Sequence, residues 1–124
     1  MTINVYLAGP MRGIPEFNFP AFFAAEKKLT EMGYFVFNPA RKDLERHGDN
    51  FAQTNKTGSL EEAAKEYGFS LRDALGIDLK WICQSADAVA VLPGWENSKG
   101  ARAEVATAEA LGLAIIYLGD PHGS

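Results

Sequence analysis

The sequence contains few of the residues on which disulfide and metal chemistry depend. Its 124 residues include one cysteine, Cys83, and two histidines, His47 and His122. A single cysteine cannot close a disulfide within the chain, and these three residues lack the spacing of a His/Cys metal site. We therefore expect a reduced protein that binds no metal and needs no cofactor.

Long apolar runs and a targeting segment are also absent from the sequence. No stretch approaches the roughly 18 consecutive apolar residues that form a membrane span. The first residues lack the basic and apolar regions of a signal peptide. We expect a cytoplasmic location and no membrane partner.

Positive charge is in the minority, because 12 Lys and Arg residues stand against 16 Asp and Glu residues and give a net charge of −4. Nucleic-acid-binding domains usually present a basic surface, so we expect no nucleic-acid partner. A small anionic ligand remains compatible with this charge, because one loop and one helix N-terminus can bind a phosphate.

Short apolar strands alternate with helical segments along the chain. The pattern predicts strands at 3–7, 34–37, 88–92 and 114–118, and helices at 19–32, 61–67, 70–84 and 98–111. Strands that are apolar on both faces and separated by helices are typical of a parallel sheet covered on both sides. We predict one α/β domain over residues 1–124, a small doubly wound three-layer sandwich of the flavodoxin or Rossmann type with four or five parallel strands. The tail, 119–124, is expected to fray.

A polar segment interrupts this alternation. Residues 40–58 contain two glycines and no hydrophobic period, which predicts a long loop. Loops of this length are uncommon in small domains and often carry function. We expect 41–58 to be a lid or substrate loop, with a tolerated surface insertion as the alternative.

The loop after the first strand contains a candidate ligand site. A glycine directly after a strand allows a ligand to approach the backbone, and an arginine side chain offers a fork of donors to a phosphate or carboxylate. A plain tight connection is the alternative interpretation. The candidate residues are Gly9, Pro10, Met11, Arg12 and Gly13.

A second candidate lies where the helix at 98–111 begins. Ser98 is the expected N-cap, at a helix end whose free N–H groups favour an anion. Gly100 precedes Glu104 by four residues, so both share one helix face and the missing side chain leaves space above the carboxylate. Lys99 and Arg102 add positive charge nearby. A simple cap and a solvent-exposed glutamate are the alternatives.

Two further residues could belong to a site. Asp78 lies among apolar neighbours in the middle of a helix, where Asp has a poor propensity. Trp95, on a Pro-Gly loop at the ligand edge of the sheet, could stack on a base. The alternatives are an exposed polar position for Asp78 and a packing role for Trp95.

Three segments together resemble the nucleoside 2-deoxyribosyltransferase superfamily, and within it the 2′-deoxynucleoside 5′-monophosphate N-glycosidases. The segments are residues 5–13, residues 78–89, and Ser98-x-Gly100-x-x-x-Glu104 followed by 110–112. Residues 92–104 also resemble a group of small uncharacterised proteins, many of them from phages. The segment 41–69 has no clear counterpart in the superfamily.

The resemblance implies a reaction and roles for three residues. Glu104 corresponds to the nucleophile that attacks C1′ of the sugar and forms a covalent glycosyl-enzyme, as in a retaining glycosidase. Asp78 corresponds to the acidic residue that helps to protonate the leaving base or orients the sugar. Tyr6 corresponds to a tyrosine that holds the nucleophile and crowds the 2′ position.

The residue at position 98 separates two branches of the superfamily. Transferases that act on free nucleosides have Asp there, whereas the monophosphate N-glycosidases have Ser, which does not repel a 5′-phosphate. Ser98 therefore favours hydrolysis of a nucleoside monophosphate. The alternatives are a deoxyribosyltransferase, an NAD-type nicotinamide-ribosyl hydrolase and a non-catalytic nucleotide-binding protein. The resemblance also implies a homodimer or higher homo-oligomer.

Overall fold

The computed structural model describes residues 2–48, 56–68 and 70–119, which form a four-stranded sheet with helices on both faces. The strands are β1 (Asn4–Ala8), β2 (Phe35–Phe37), β3 (Ala88–Val91) and β4 (Ala114–Tyr117). The helices are α1 (Phe19–Glu31), α2 (Pro39–His47), α3 (Leu60–Tyr67), α4 (Leu71–Ser85) and α5 (Lys99–Ala110). Short 3₁₀ turns occupy Pro15–Asn18 and Trp95–Asn97.

All strand pairs are parallel, in the order β2-β1-β3-β4. In register, Val5 of β1 lies between Val36 of β2 and Ala88 of β3. From β1 the chain passes through α1 to β2, on one side of β1. It reaches β3, on the other side of β1, only after α2, α3 and α4. The carboxyl ends of β1 and β3 therefore form the switch point at which α/β sheets of this kind bind ligands. The predicted parallel α/β sandwich is confirmed.

Two apolar clusters cover the faces of the sheet, because β1 and β3 alternate their side chains between them. Helices α1, α2 and α3 pack on one face, and α4 and α5 pack on the other. The first cluster contains Val5, Leu7, Phe17, Phe19, Phe22, Ala25, Leu29, Ala40, Ala63, Ala88, Ala90 and Leu92. The second contains Tyr6, Ala8, Phe37, Ile82, Val89, Val91, Ala101, Val105 and Ala108.

Serine caps begin two of the helices that matter for the site. The Oγ of Ser70 accepts a hydrogen bond from the N–H of Asp73 at 3.2 Å, and the Oγ of Ser98 accepts one from Ala101 at 3.2 Å. Such caps satisfy N–H groups that have no partner within the helix. The predicted starts of α4 and α5 are confirmed.

The loop predicted at 40–58 is wrong over its first part, which is helix α2. Asn38 caps this helix by accepting from the N–H of Ala40 at 2.9 Å, and Pro39 occupies its first turn. The buried side of the helix includes Asp43, so a polar residue occupies a core-facing position and hides the helical period. Residues 49–55 lie outside the described residues, as do 120–124 of the tail, and the lid role stays a prediction.

In the part of the chain that the structure describes, no helix is both long enough and apolar enough to span a bilayer.

Candidate active site

A pocket of about 310 Å³ opens at the carboxyl ends of β1 and β3. Loops and helices from across the chain contribute to it, which is the placement expected for a doubly wound sheet. Its lining residues are Tyr6, Gly9, Pro10, Met11, Arg12, Phe17, Phe22, Pro39, Asp43, Leu60, Leu71, Leu75, Asp78, Asn97, Ser98, Lys99, Gly100 and Glu104.

The innermost polar pair of the pocket is Tyr6 and Glu104. The hydroxyl of Tyr6 donates a hydrogen bond to Oε2 of Glu104 at 2.8 Å, and both side chains are buried. Burial raises the pKa of the Tyr6 hydroxyl well above its usual value, and the negative charge of Glu104 raises it further. Tyr6 therefore keeps its proton and remains the donor in this pair.

Asp78 projects into the same pocket from α4. It shares a helix face with Leu71 and Leu75, since the three residues follow a spacing of four and three. Burial raises the pKa of the Asp78 carboxyl to about 6, although the nearby Tyr6 hydroxyl and the charge of Arg46 act in the opposite direction.

Asp43 is a third carboxyl group in the pocket, and the sequence analysis missed it. It lies one turn after Pro39 on α2, so both residues face the cavity. Burial raises the pKa of Asp43 to about 7, with a further contribution from Asp78, while Arg46 lowers it. Asn38-Pro39 was the sequence signal that could have predicted this helix, and with it the place of Asp43, because Asn caps helices and Pro favours their first turn.

The three carboxyl groups are electrostatically coupled. The charge of Asp78 raises the pKa of both Glu104 and Asp43. The main cause of the raised pKa of Glu104 is burial, which the hydrogen bond from Tyr6 opposes. Burial and like charge both favour the neutral forms, so these groups lose their protons at a higher pH than exposed carboxyl groups do.

The N-terminus of α5 forms the wall next to Glu104. Ser98, Lys99 and Gly100 all line the pocket, as the sequence predicts. A Cβ atom built on Gly100 would meet nothing within 4 Å. The missing side chain therefore leaves space one helical turn from Glu104, and the free N–H groups of the first turn face a region suited to an anion.

The loop after β1 forms the opposite wall, where Gly9, Pro10, Met11 and Arg12 line the pocket. A Cβ atom built on Gly9 would lie 2.8 Å from the Cβ of Leu92. Tight packing between the ends of β1 and β3 is therefore a second reason for a glycine here, besides the expected approach of a ligand to the backbone. Gly13 does not line the pocket. Its N–H donates instead to the carbonyl of Gly58 at 3.0 Å.

Two predicted residues point elsewhere. Arg102 is exposed on α5, two residues from Glu104 and hence on the other side of the helix. Trp95 packs against the second apolar cluster and is not among the pocket residues. The structure therefore gives Trp95 the packing role that the sequence analysis held as the alternative.

An unusual turn brings Phe17 into the pocket. Glu16, Phe17 and Asn18 have φ values of 56°, 52° and 62°, in the left-handed region that residues other than glycine seldom adopt. The side chain of Asn18 donates to the carbonyl of Pro10 at 3.0 Å and ties the turn to the pocket wall. Tertiary contacts impose this left-handed backbone, which no local sequence signal predicts, and it allows Phe17 to line the pocket.

The described ranges contain no group of three or more His, Cys, Asp or Glu side chains arranged to hold a metal ion.

A family model described as "Domain of unknown function (DUF4406)" matches residues 3–117 of the chain. The match includes all four strands and every residue of the pocket. A search of curated proteins found no match.

Proposed function

The chain belongs to the DUF4406 family, and we propose that it hydrolyses the N-glycosidic bond of a (2′-deoxy)nucleoside 5′-monophosphate. The observation that carries this proposal is the buried hydrogen bond between Tyr6 and Glu104 at the inner end of a pocket that also contains Asp78. A glycosidase of the retaining kind needs one carboxylate as nucleophile and one carboxylic acid as proton donor, and a pocket lined by three carboxyl groups can supply both.

In the proposed reaction the carboxylate of Glu104 attacks C1′ of the sugar. The C1′–N bond breaks, its electron pair stays on the base, and an acidic side chain supplies the proton that the base needs to leave. Positive charge develops on the sugar in the transition state, which favours the ionised form of Glu104. Water then attacks C1′ and releases the sugar phosphate together with the Glu104 carboxylate.

Tyr6 holds the nucleophile in this scheme. Its hydrogen bond fixes one oxygen of Glu104 and leaves the other free to reach the sugar. Tyr6 lines the same pocket as Glu104 and Asp78. A bulky phenol at this point leaves little room for a 2′-hydroxyl, which favours a 2′-deoxy sugar.

The charges around the pocket favour a phosphate on the substrate. Lys99 and the first turn of α5 lie on one wall, and Arg12 lies on the other. A helix N-terminus with nearby cationic side chains is a common phosphate-binding arrangement. Ser98 fits this role, since a hydroxyl accepts or donates a hydrogen bond without repelling the anion.

The proposal also covers the oligomeric state of the protein, its location and the choice between hydrolysis and base exchange. We propose a homo-oligomer, because the pocket is an open cleft that a neighbouring subunit could complete. The cytoplasmic location expected from the sequence is retained here as well. Hydrolysis is preferred to base exchange because Ser98 favours the phosphorylated substrate, and adding a second free base to the assay separates the two reactions.

The direct test is to incubate the protein with deoxynucleoside monophosphates and with the matching free deoxynucleosides, and to measure released base. We expect release from the monophosphates and at least a 10³-fold lower rate for Glu104→Gln, about the loss seen when a nucleophile is removed. Glu109→Gln is the matched control, because Glu109 is exposed on the same helix. Faster release from free deoxynucleosides, or full activity in Glu104→Gln, would contradict the proposal.

A further inference from the structure

Asp43 is a buried carboxyl group with few partners of its own. Its side chain is 9% exposed, and its nearest charged partner is Arg46, whose Nη1 lies 4.0 Å from Oδ1. At this distance the ion pair with Arg46 is long, and Asp43 also lines the cavity. The carboxyl group of Asp43 is therefore available to a ligand in the cavity.

Asp43 lies on the buried side of α2, at the point where this side lines the cavity. Its surroundings on the cavity side are apolar, since Pro39, Leu71 and Leu75 line the same pocket. A flat ring with a polar edge fits such a place, because apolar side chains cover its faces and one carboxyl group meets its edge.

The position of Asp43 relative to the sheet decides which part of a nucleotide it would meet. Helix α2 begins at the end of β2 and α5 follows β3, while β1, whose Tyr6 bonds to Glu104, lies between β2 and β3. A nucleotide with its phosphate at α5 and its C1′ at Glu104 directs its base away from α5. The base then extends toward Asp43.

Resting on the proposed function, we propose that Asp43 recognises the edge of the base and is the acid that protonates it. A carboxylic acid can donate through one oxygen and accept through the other, so it can pair with the edge of any base, but its proton can move only to a ring nitrogen with a free lone pair. Cytosine and adenine have such a nitrogen beside an amino group, whereas uracil, thymine, guanine and hypoxanthine carry an N–H there that cannot take the proton. Asp78 is then left to orient the sugar.

The proton balance of this step closes within the pocket. The Asp43 O–H proton moves to N3 of cytosine or N1 of adenine while the C1′–N bond breaks and Glu104 bonds to C1′. The base leaves as a neutral molecule, and Asp43 remains as a carboxylate. When water attacks C1′, Glu104 is released as a carboxylate and the proton of the water returns to Asp43.

The charged groups around Asp43 are compatible with a carboxyl group that holds a proton at neutral pH. Arg46, on the same helix, favours the ionised form, while burial and Asp78 on α4 favour the neutral form and together prevail. The resulting pKa of about 7 is suited to a group that gives and regains a proton in each cycle.

The test compares wild type, Asp43→Asn and Asp43→Ala on dCMP, dAMP, dUMP, dTMP, dGMP and dIMP, with base release as the readout. An Asn amide keeps a donor and an acceptor side by side but cannot transfer a proton. Asp43→Asn should therefore keep KM for the preferred substrate within about threefold and lose at least about 10²-fold in kcat. Asp43→Ala should also raise KM. Asp73→Asn, on the exposed start of α4, is the matched control.

Wild type is expected to prefer the amino bases over the keto bases by at least about tenfold in kcat/KM. Equal rates on dCMP and dUMP, or an unchanged kcat in Asp43→Asn, would overturn the role of Asp43 and leave the glycosidase proposal standing. Calorimetry with Glu104→Gln protein, with and without Asp43→Ala, measures recognition without turnover. Weaker binding of dCMP when Asp43 is replaced supports recognition by Asp43 even if no base is released, and equal binding overturns it.

Discussion

Tyr6 and Glu104, 98 residues apart in the chain, are joined by a buried hydrogen bond of 2.8 Å. The bond links the central strand β1 to helix α5 on one face of the sheet. Both residues line one pocket, which two further carboxyl groups, those of Asp78 and Asp43, also line.

Removing the Tyr6 hydroxyl should weaken the nucleophile. A hydrogen bond to a charged group contributes about 1.5–3 kcal/mol, which corresponds to a loss of about 10- to 100-fold in kcat for Tyr6→Phe. The measurement is steady-state base release from a deoxynucleoside monophosphate. Tyr117→Phe is the control, because Tyr117 is 67% exposed and lies on the edge strand β4. Equal kcat in the two variants would show that the hydroxyl has no catalytic role.

Filling the space at Gly100 should separate stability from activity. Ala is a better helix former than Gly by about 0.5–1 kcal/mol, so Gly100→Ala should unfold at a slightly higher temperature. Its methyl group enters the pocket one turn from Glu104, so substrate binding should weaken. Gly76→Ala is a close control, because Gly76 also lies within a helix and a Cβ there also meets nothing within 4 Å. If both variants keep full activity, substrate does not occupy this space.

A carboxylate at position 98 should repel a phosphate without harming the helix. Asp is as good an N-cap as Ser, so both Ser98→Asp and Ser70→Asp should keep their helices. We expect Ser98→Asp to raise KM for the monophosphate at least about tenfold, since like charges in contact cost more than 1 kcal/mol. Ser70→Asp should leave KM unchanged. Intact turnover of monophosphates by Ser98→Asp would exclude phosphate binding at α5.

The buried carboxyl group of Asp43 should make the protein less stable as pH rises. The folded protein keeps a proton on Asp43 up to about pH 7, whereas the unfolded chain loses it near its ordinary pKa of 3.8. Folded protein thus binds more protons between these values, and the free energy of unfolding falls as pH rises through this window.

Asp43→Asn has no charge to bury, so it should gain stability at high pH. We expect its free energy of unfolding to exceed that of wild type by about 2 kcal/mol at pH 8, with a smaller difference at pH 4. Urea titrations at the two pH values measure this, with Asp73→Asn as the exposed control. A gain that is the same at both pH values would mean that burial of the Asp43 charge is not the cause.

The sequence predicts most of the sheet and much of the pocket, because these parts depend on local patterns. All four strands and the helices α1, α3, α4 and α5 follow from hydrophobic runs, serine caps and glycine stops, and Glu104 and Gly100 share a face because of helical spacing. Asp43 could not be identified in this way, since a charged residue on the buried side of α2 resembles a loop pattern. Arg102 and Trp95 were expected in the site but do not line the pocket. Closeness to Glu104 in the sequence does not decide which side chains reach the cavity, because the packing of α5 and of the turn before it determines where they point.

The central claim is that Glu104 forms a bond to C1′ of a nucleoside monophosphate. A substrate analogue with fluorine at C2′ slows the release of the sugar from the enzyme and allows the intermediate to accumulate, because fluorine destabilises the positively charged transition state. The deciding measurement is the intact mass of the protein after incubation with such a monophosphate, followed by peptide mapping. We predict a mass increase equal to one fluorinated sugar phosphate, located on Glu104 and absent from Glu104→Gln. Base release from the monophosphate with no adduct on Glu104, or an adduct on another residue, would contradict the account.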